Sequence, residues 1–317
     1  MKTQREHKTD IPMRKKRNRE LIKDNIELLA LTLPGLALLI IFNYIPMFGI
    51  IIAFKNYNPM LGILGSKWVG LDNFRFFFTS QDAFRVIRNT VAYGAGFLII
   101  DLLTCVGLAL MFYFLQSKKA LKVYNSIVIL PKFMSVIMVA FIVYGLLNPS
   151  QGLLSVVMRM MGKAPIQWYS EPKYWPFILC IVHVWMAVGM GCVIYYSSLM
   201  GMDESLLEAA SLDGAGTAQK IISVIIPYLK PVMIISTILG LGHIFNGDFG
   251  LFYQVPQNVG LLYPTTDIIN TYTYRALVDG SMAKSTAVGL FQSAAGFVMV
   301  MLTNLIVRKI SPEDSLF

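Results

Sequence analysis

Charge is what this sequence has least of. Only 14% of its 317 residues are Asp, Glu, Lys or Arg, against 56% that are hydrophobic, more apolar surface than a soluble domain of this length can hide. Cysteine and histidine are also scarce, at three residues each. Cys105, Cys180 and Cys192 lie in apolar stretches without paired metal-ligand spacing. Neither a disulfide framework nor a zinc site is expected, and the three read as small packing residues. No GxxxxGK loop followed by Ser or Thr is present to cradle phosphates, and there is no HExxH pair or GxSxG elbow. The chain therefore has no phosphate-cradling loop of its own, and it is not read as an enzyme.

What it has instead is long apolar runs. Windows of about 19 residues give six candidate spans, near 28–54, 91–115, 126–147, 176–199, 232–250 and 287–307, each long enough to cross ~30 Å of hydrocarbon. The fold class expected is an all-α membrane protein with six transmembrane helices, preceded by a basic tail over 1–27 and followed by a short tail over 311–317. The first run is too long for a secretory signal and no small-residue cleavage site follows it. The formal net charge of +9 is concentrated at Arg14, Lys15, Lys16, Arg17, Arg19 and Lys23. Basic residues crowded just before a span point to a cytoplasmic anchor rather than to nucleic acid. With the amino terminus inside, Lys118, Lys119, Lys122, Lys220, Lys230, Arg308 and Lys309 also fall inside, so both termini are expected in the cytoplasm of a cell whose inner membrane holds the chain.

On the opposite side, 55–89 reads as a glycine-rich turn followed by a short surface helix bearing Phe74, Phe76, Phe77 and Phe78, and 148–175 contains a stretch too short to span. The outer half of the fifth span is interrupted by Gly240, Gly242, His243, Asn246, Gly247, Asp248 and Gly250. Broken helices are tolerated at membrane depth only where they line a cavity or are buried in protein. Lys132, beside Pro131, is placed at the inner end of the third span, where it can snorkel without further role.

Between the fourth and fifth spans, the stretch 201–231 is too patterned for a connector. Asp203 can cap a helix carrying Leu206, Leu207, Ala210 and Leu212; Gly214 and Gly216 permit a turn; Ile221, Ile222, Val224 and Ile225 open a second helix checked by Pro227 and Pro231. The result is a helical hairpin on the cytoplasmic face. Ala209 and Ala210 allow another surface to approach closely, and Glu208 offers it a carboxylate. The other reading is a helix resting on lipid headgroups, but Glu204, Glu208 and Asp213 stand where such a helix usually carries Lys and Arg.

Glu208, Ala209 and Ala210, then Gly214 four residues on, then Val224, Ile226 and Pro227 resemble the EAA loop of binding-protein-dependent ABC importer permeases. The family's pattern has Ile and Leu where Val224 and Ile226 stand; the spacing of Glu, Gly and Pro is intact. The stretches 130–154 and 246–256 are similar to the polysaccharide or multiple-sugar branch, and the likeness runs from about residue 28 to the end. The resemblance implies a coupling hairpin that fits a cleft on a separate ATPase subunit, with Glu208, Ala209, Ala210, Asp213, Gly214 and Pro227 as the coupling residues. It also implies a second homologous permease subunit, two ATPase subunits that bind ATP and magnesium, an extracytoplasmic solute-binding protein and a carbohydrate cargo. This chain is expected to bind no cofactor itself.

Carbohydrates are held by aromatic faces and hydrogen-bonding groups, and such residues occur inside the apolar helices. Trp185, Tyr195 and Tyr196 lie in the fourth span, His243, Asn246 and Asp248 in the fifth. Aromatic belts at the membrane interface explain the first group equally well, and His183 or His243 can bond across to a neighbouring helix. For Asn246 and Asp248, lining or gating the pathway is the preferred reading, because ionisable groups at membrane depth are functional by default. A secondary transporter driven by an ion gradient should show inverted repeats and paired midplane carboxylates, and neither is evident. A scaffold without cargo leaves the polar fifth span without a purpose, and a non-sugar solute stays open within the permease class.

Overall fold

The computed structural model describes residues 25, 26, 28 and 30–310. Apart from residues 25 and 26, the tails expected over 1–27 and 311–317 lie outside the described residues. In chain order the helices are α1 (Ala30–Phe54), α2 (Asp72–Thr79), α3 (Gln81–Tyr113), α4 (Lys118–Phe133), α5 (Val136–Leu147), α6 (Leu153–Met160), α7 (Trp175–Met200), α8 (Ser205–Leu212), α9 (Thr217–Gly242), α10 (Phe249–Gln254), α11 (Ile269–Val278) and α12 (Met282–Ile310). Among the described residues five are long and apolar enough to cross a membrane, and α4 with α5 passes the same test as a pair bent by 100°, a broken span or a re-entrant loop. The outward apolar side chains, such as Leu103, Phe141, Phe177 and Phe297, are exposed, as lipid contact requires.

Local chemistry sets where helices start. Ser80, Ser117 and Ser135 each accept a hydrogen bond from the backbone N–H three residues on, at 3.2–3.3 Å. The last of these caps explains the bent pair: Pro131 interrupts the backbone ladder, the chain tightens into a 3-10 turn over Leu130–Phe133, and Ser135 starts a new helix in a new direction.

Two short strands, β1 (Lys55–Asn56) and β2 (Lys67–Trp68), pair antiparallel after α1. They deliver α2, whose Phe77 is buried against Tyr272 and Phe291. Of the two readings for the phenylalanine cluster, lying on lipid or packing on a neighbour, Phe77 and Phe78 take the second.

The spans are organised around the α3–α7 pair, which α9 flanks and α12 completes by packing on α1, α2, α9 and α11. Helices approach where side chains are small. A Cβ on Gly189 of α7 would collide with the Val128 carbonyl of α4, and one on Gly94 of α3 would come within 2.7 Å of the Ile244 carbonyl. One apolar core, including Val139, Val143, Trp175, Leu179, Leu251 and Phe252, ties α5, α10 and the start of α7. A second, including Cys105, Cys192, Leu199, Met202, Ile225 and Leu229, ties the far ends of α3 and α7 to the start of α9. All three cysteines are free.

The fifth span departs from its expected bounds. Pro227 and Pro231 do not check the helix: α9 runs from Thr217 to Gly242, with a π-helical turn at Ile221–Ile225 just before the first proline. A wider turn and packed neighbours absorb the lost N–H donors. The span therefore covers 217–242 instead of 232–250, and Asn246 and Asp248 lie beyond its end rather than within it.

Candidate functional site

At one end of the bundle, α8 and the start of α9 form a hairpin. Asp203 Oδ1 accepts from the Ser205 N–H at 2.9 Å at the mouth of α8, a bond that holds its carboxyl below the ordinary Asp range. The other end of α8 closes as a Schellman turn. The Ala215 N–H donates to the Ala210 carbonyl at 2.9 Å and the Gly214 N–H to the Ser211 carbonyl at 3.1 Å. Gly214 sits at φ +79, the left-handed conformation this turn demands and a side chain resists. Gly216 is extended and introduces Thr217.

The hairpin has two unlike faces. Leu207, Met202, Ile221 and Val224 turn into the core shared with α3 and α7. Glu208, Ala209, Asp213 and Pro227 are exposed and Ala210 is half-buried. Leu212, at 90% exposed, and Leu206 stand out beside them. The second arm is the start of the fifth span itself, so no loop separates the two.

Midway through the bundle, α3, α7, α9 and the α4–α5 break enclose an open cavity of about 320 Å³ lined by Asp101, Lys132, Tyr195 and Ser236 among apolar neighbours. Of the residues singled out for cargo, Tyr195 alone lines this space. Trp185 lines a separate, almost wholly apolar hollow of about 530 Å³ between α3, α4 and α7. Tyr196 packs edge-on to Phe112 in the core beneath the hairpin. His243 terminates α9, Asn246 Oδ1 accepts from Gln292 at 3.2 Å, and Asp248 Oδ1 caps α10 through the Leu251 N–H at 3.0 Å. The structure thus distributes these six residues over four places.

Two polar groups, Asp101 and Asp267, were missed in the sequence, and a third, Lys132, was read only as a snorkelling residue. Asp101 meets His183 across α3 and α7, with both carboxylate oxygens 3.0 Å from Nε2, while the His183 ring stacks on Phe97 at 3.8 Å between centroids. His183 therefore makes the bond to a neighbouring helix that was read for it. The available signal was Asp101 itself, the only charged residue in the apolar stretch 91–113. Lys132 lies in the 3-10 turn between α4 and α5, where the chain bends by 100°, instead of at the end of an unbroken span. Asp267, wholly buried, accepts from Arg85 at 2.9 Å, Arg275 at 2.7 Å and Thr271 at 2.8 Å. Its own carbonyl accepts from Asn89. This node clamps the segment after α10 onto the start of α3, at the end of the bundle opposite the hairpin. Nothing in the local sequence could pair residues 182 positions apart.

The family model described as "Binding-protein-dependent transport system inner membrane component" matches residues 104–312. The chain is 32% identical, over 95% of its length and 94% of the relative's, to the polygalacturonan/rhamnogalacturonan transport system permease protein YteP of Bacillus subtilis (strain 168). It is 30% identical to protein LplB of the same organism, over 89% of each. Its fold matches a chain of a bacterial ABC transporter involved in the import of the acidic polysaccharide alginate, with a TM-score of 0.83, 30% identity and coverage of 93% of this chain and 99% of that one. A second structure, of a bacterial alginate ABC transporter in complex with an alginate pentasaccharide-bound periplasmic protein, matches with a TM-score of 0.82 and 30% identity over 92% and 97%.

Proposed function

Since the chain belongs to the family of binding-protein-dependent transport system inner membrane components, we propose that it is half of the translocation pathway of an importer of acidic oligosaccharides. A second, homologous permease closes the open side of the Asp101–Tyr195 cavity, and an extracytoplasmic binding protein delivers the cargo. ATP and magnesium bind to two partner ATPase subunits. The acidic class rests on the relatives, one of which is named for polygalacturonan and rhamnogalacturonan and another described as importing alginate. The permease domain spans 28–310, with 1–27 and 311–317 as cytoplasmic tails and the hairpin on the same side. Arg308 and Lys309, at the end of α12, agree with that orientation.

The observation that carries this reading is the continuity of α9 from the hairpin to the cavity wall. Ser236 and Gly240 line the cavity on the same helix that begins at Thr217. A cleft on the ATPase grips the exposed face of α8, where Leu206 and Leu212 supply apolar anchors and Glu208 the charge that meets a basic residue. Closure of the ATPase pair on ATP displaces α8, α9 swings with it, and the cavity wall at Gly240 moves against Leu98 of α3, which it touches closely.

The test is cross-linking in inside-out vesicles. A cysteine introduced at Glu208 or Leu212 should form a disulfide with a cysteine in the co-expressed ATPase, and the yield should change between nucleotide-free and ATP-bound states. A hairpin labelled by an impermeant thiol reagent from the outside, or never linked to the ATPase, would sink the proposal.

A further inference from the structure

Lys132 is an exposed cation on the wall of the open cavity, and its charge meets no partner among the described residues. Its depth follows from the contact beside it: the Val128 carbonyl packs on Gly189, which lies 14 residues after Trp175 and 11 before Met200 in α7. The break over Leu130–Phe133 therefore sits near the middle of the membrane. From there the headgroups are half of a ~30 Å hydrocarbon core away, beyond the reach of a four-carbon stem, so snorkelling does not explain it. A charge at this depth has to face water or a partner. Lys132 faces the cavity, and among the described residues its ammonium forms no ion pair or hydrogen bond.

The same cavity holds one other charged side chain, Asp101, on the helix opposite. That carboxylate is taken: both oxygens lie 3.0 Å from His183 Nε2, and the imidazole is itself held by stacking on Phe97. Asp101 thus has a partner in His183, while Lys132 is the charged side chain of the cavity that has none among the described residues. Tyr195 and Ser236 on the adjoining walls add a ring and hydroxyls beside it, which suits a sugar ring carrying a carboxylate.

We infer that Lys132 is the specificity-determining residue that receives the carboxylate of a uronic acid unit in transit. This rests on the acidic-cargo reading above. It explains the placement of a lysine where a neutral sugar would need none.

The experiment uses the assembled transporter, with both permeases and both ATPase subunits, in nanodiscs without the binding protein, so that only the pathway discriminates. Equilibrium binding is measured for trigalacturonate and for its carboxyl-reduced, neutral counterpart. Wild type should prefer the uronate by on the order of tenfold, Lys132→Gln should bind the two alike, and Lys132→Arg should keep the preference. Preference retained in Lys132→Gln overturns the role of Lys132 while leaving the acidic-cargo reading intact. Loss of both ligands in Lys132→Gln also overturns it, since a specificity residue should spare the neutral one. No preference in wild type, or no binding of either probe, overturns the acidic-cargo reading and the role of Lys132 together.

Discussion

Asp101 and His183 pair across α3 and α7 with both carboxylate oxygens 3.0 Å from one imidazole nitrogen, and the pair is neither fully buried nor fully wet. The Asp101 side chain is 36% exposed and that of His183 18%. Water screening at that exposure reduces the coupling well below what a dry ion pair carries. A double-mutant cycle with Asp101→Asn and His183→Leu, read from thermal unfolding of the purified complex, should give a coupling of about 1 kcal/mol. Strict additivity of the two substitutions would mean that the contact contributes nothing.

The hairpin turn makes a different demand. Gly214 stands at φ +79, where a β-branched residue costs roughly 1–2 kcal/mol and Asn far less. Gly214→Val should therefore abolish most of the ATP-driven uptake by reconstituted vesicles while the membrane helices stay folded. Gly214→Asn should retain most of it, and Ser211 and Ala210 should keep their carbonyl bonds in that variant. Equal loss in both would show that the space left by the missing side chain matters, and not the backbone conformation.

How far the sequence reached depended on range. The long apolar helices were readable because hydropathy is local, and so was the hairpin, whose Asp203, Gly214 and apolar positions act within a few residues of each other. The fifth span was displaced because Pro227 and Pro231 look like stops, yet a π-helical turn and the packed helices around α9 absorb them. The cavity was poorly legible. Tyr195, Trp185 and Tyr196 share one apolar helix, and a hydropathy run does not say which face meets water. Asp101 and Lys132 were present as isolated charges in apolar stretches, but their meaning depends on a bend after Pro131 and on a partner at His183. The Asp267 node was invisible, since Arg85 and Arg275 converge on it only after the chain has crossed the membrane several times.

That node should be the more costly one to break. The Asp267 side chain is wholly buried between two guanidinium groups, and Arg275 also stacks on Tyr263 at 4.0 Å. Asp267→Asn takes the shared carboxylate from two partly exposed guanidinium groups, of which Arg85 keeps Asp82 at 2.8 Å, a loss of roughly 1.5–3 kcal/mol. The expected readout is a large drop in melting temperature together with protease cleavage in 263–271, the segment that Asn89, Thr90 and Tyr93 otherwise hold to α3. Unchanged melting and no cleavage would mean that these bonds are not what secures the segment.

Close helix contacts give the last prediction, because three glycines differ in what a methyl group would strike. At Gly189 it meets the backbone carbonyl of Val128, which cannot rotate away; at Gly191 it meets the Cys105 thiol at 2.5 Å, which can; at Gly107 nothing lies within 4 Å. Gly189→Ala should force α4 from α7 and destabilise the complex by about 1–3 kcal/mol. Gly191→Ala should cost less, and Cys105→Ala should relieve most of that cost when the two are combined. Gly107→Ala should be neutral or stabilising by up to about 1 kcal/mol, since alanine favours the helix. Thermal unfolding of the four variants orders them, and a harmless Gly189→Ala would show that the α4–α7 contact yields easily, removing the constraint that sets the depth of Lys132.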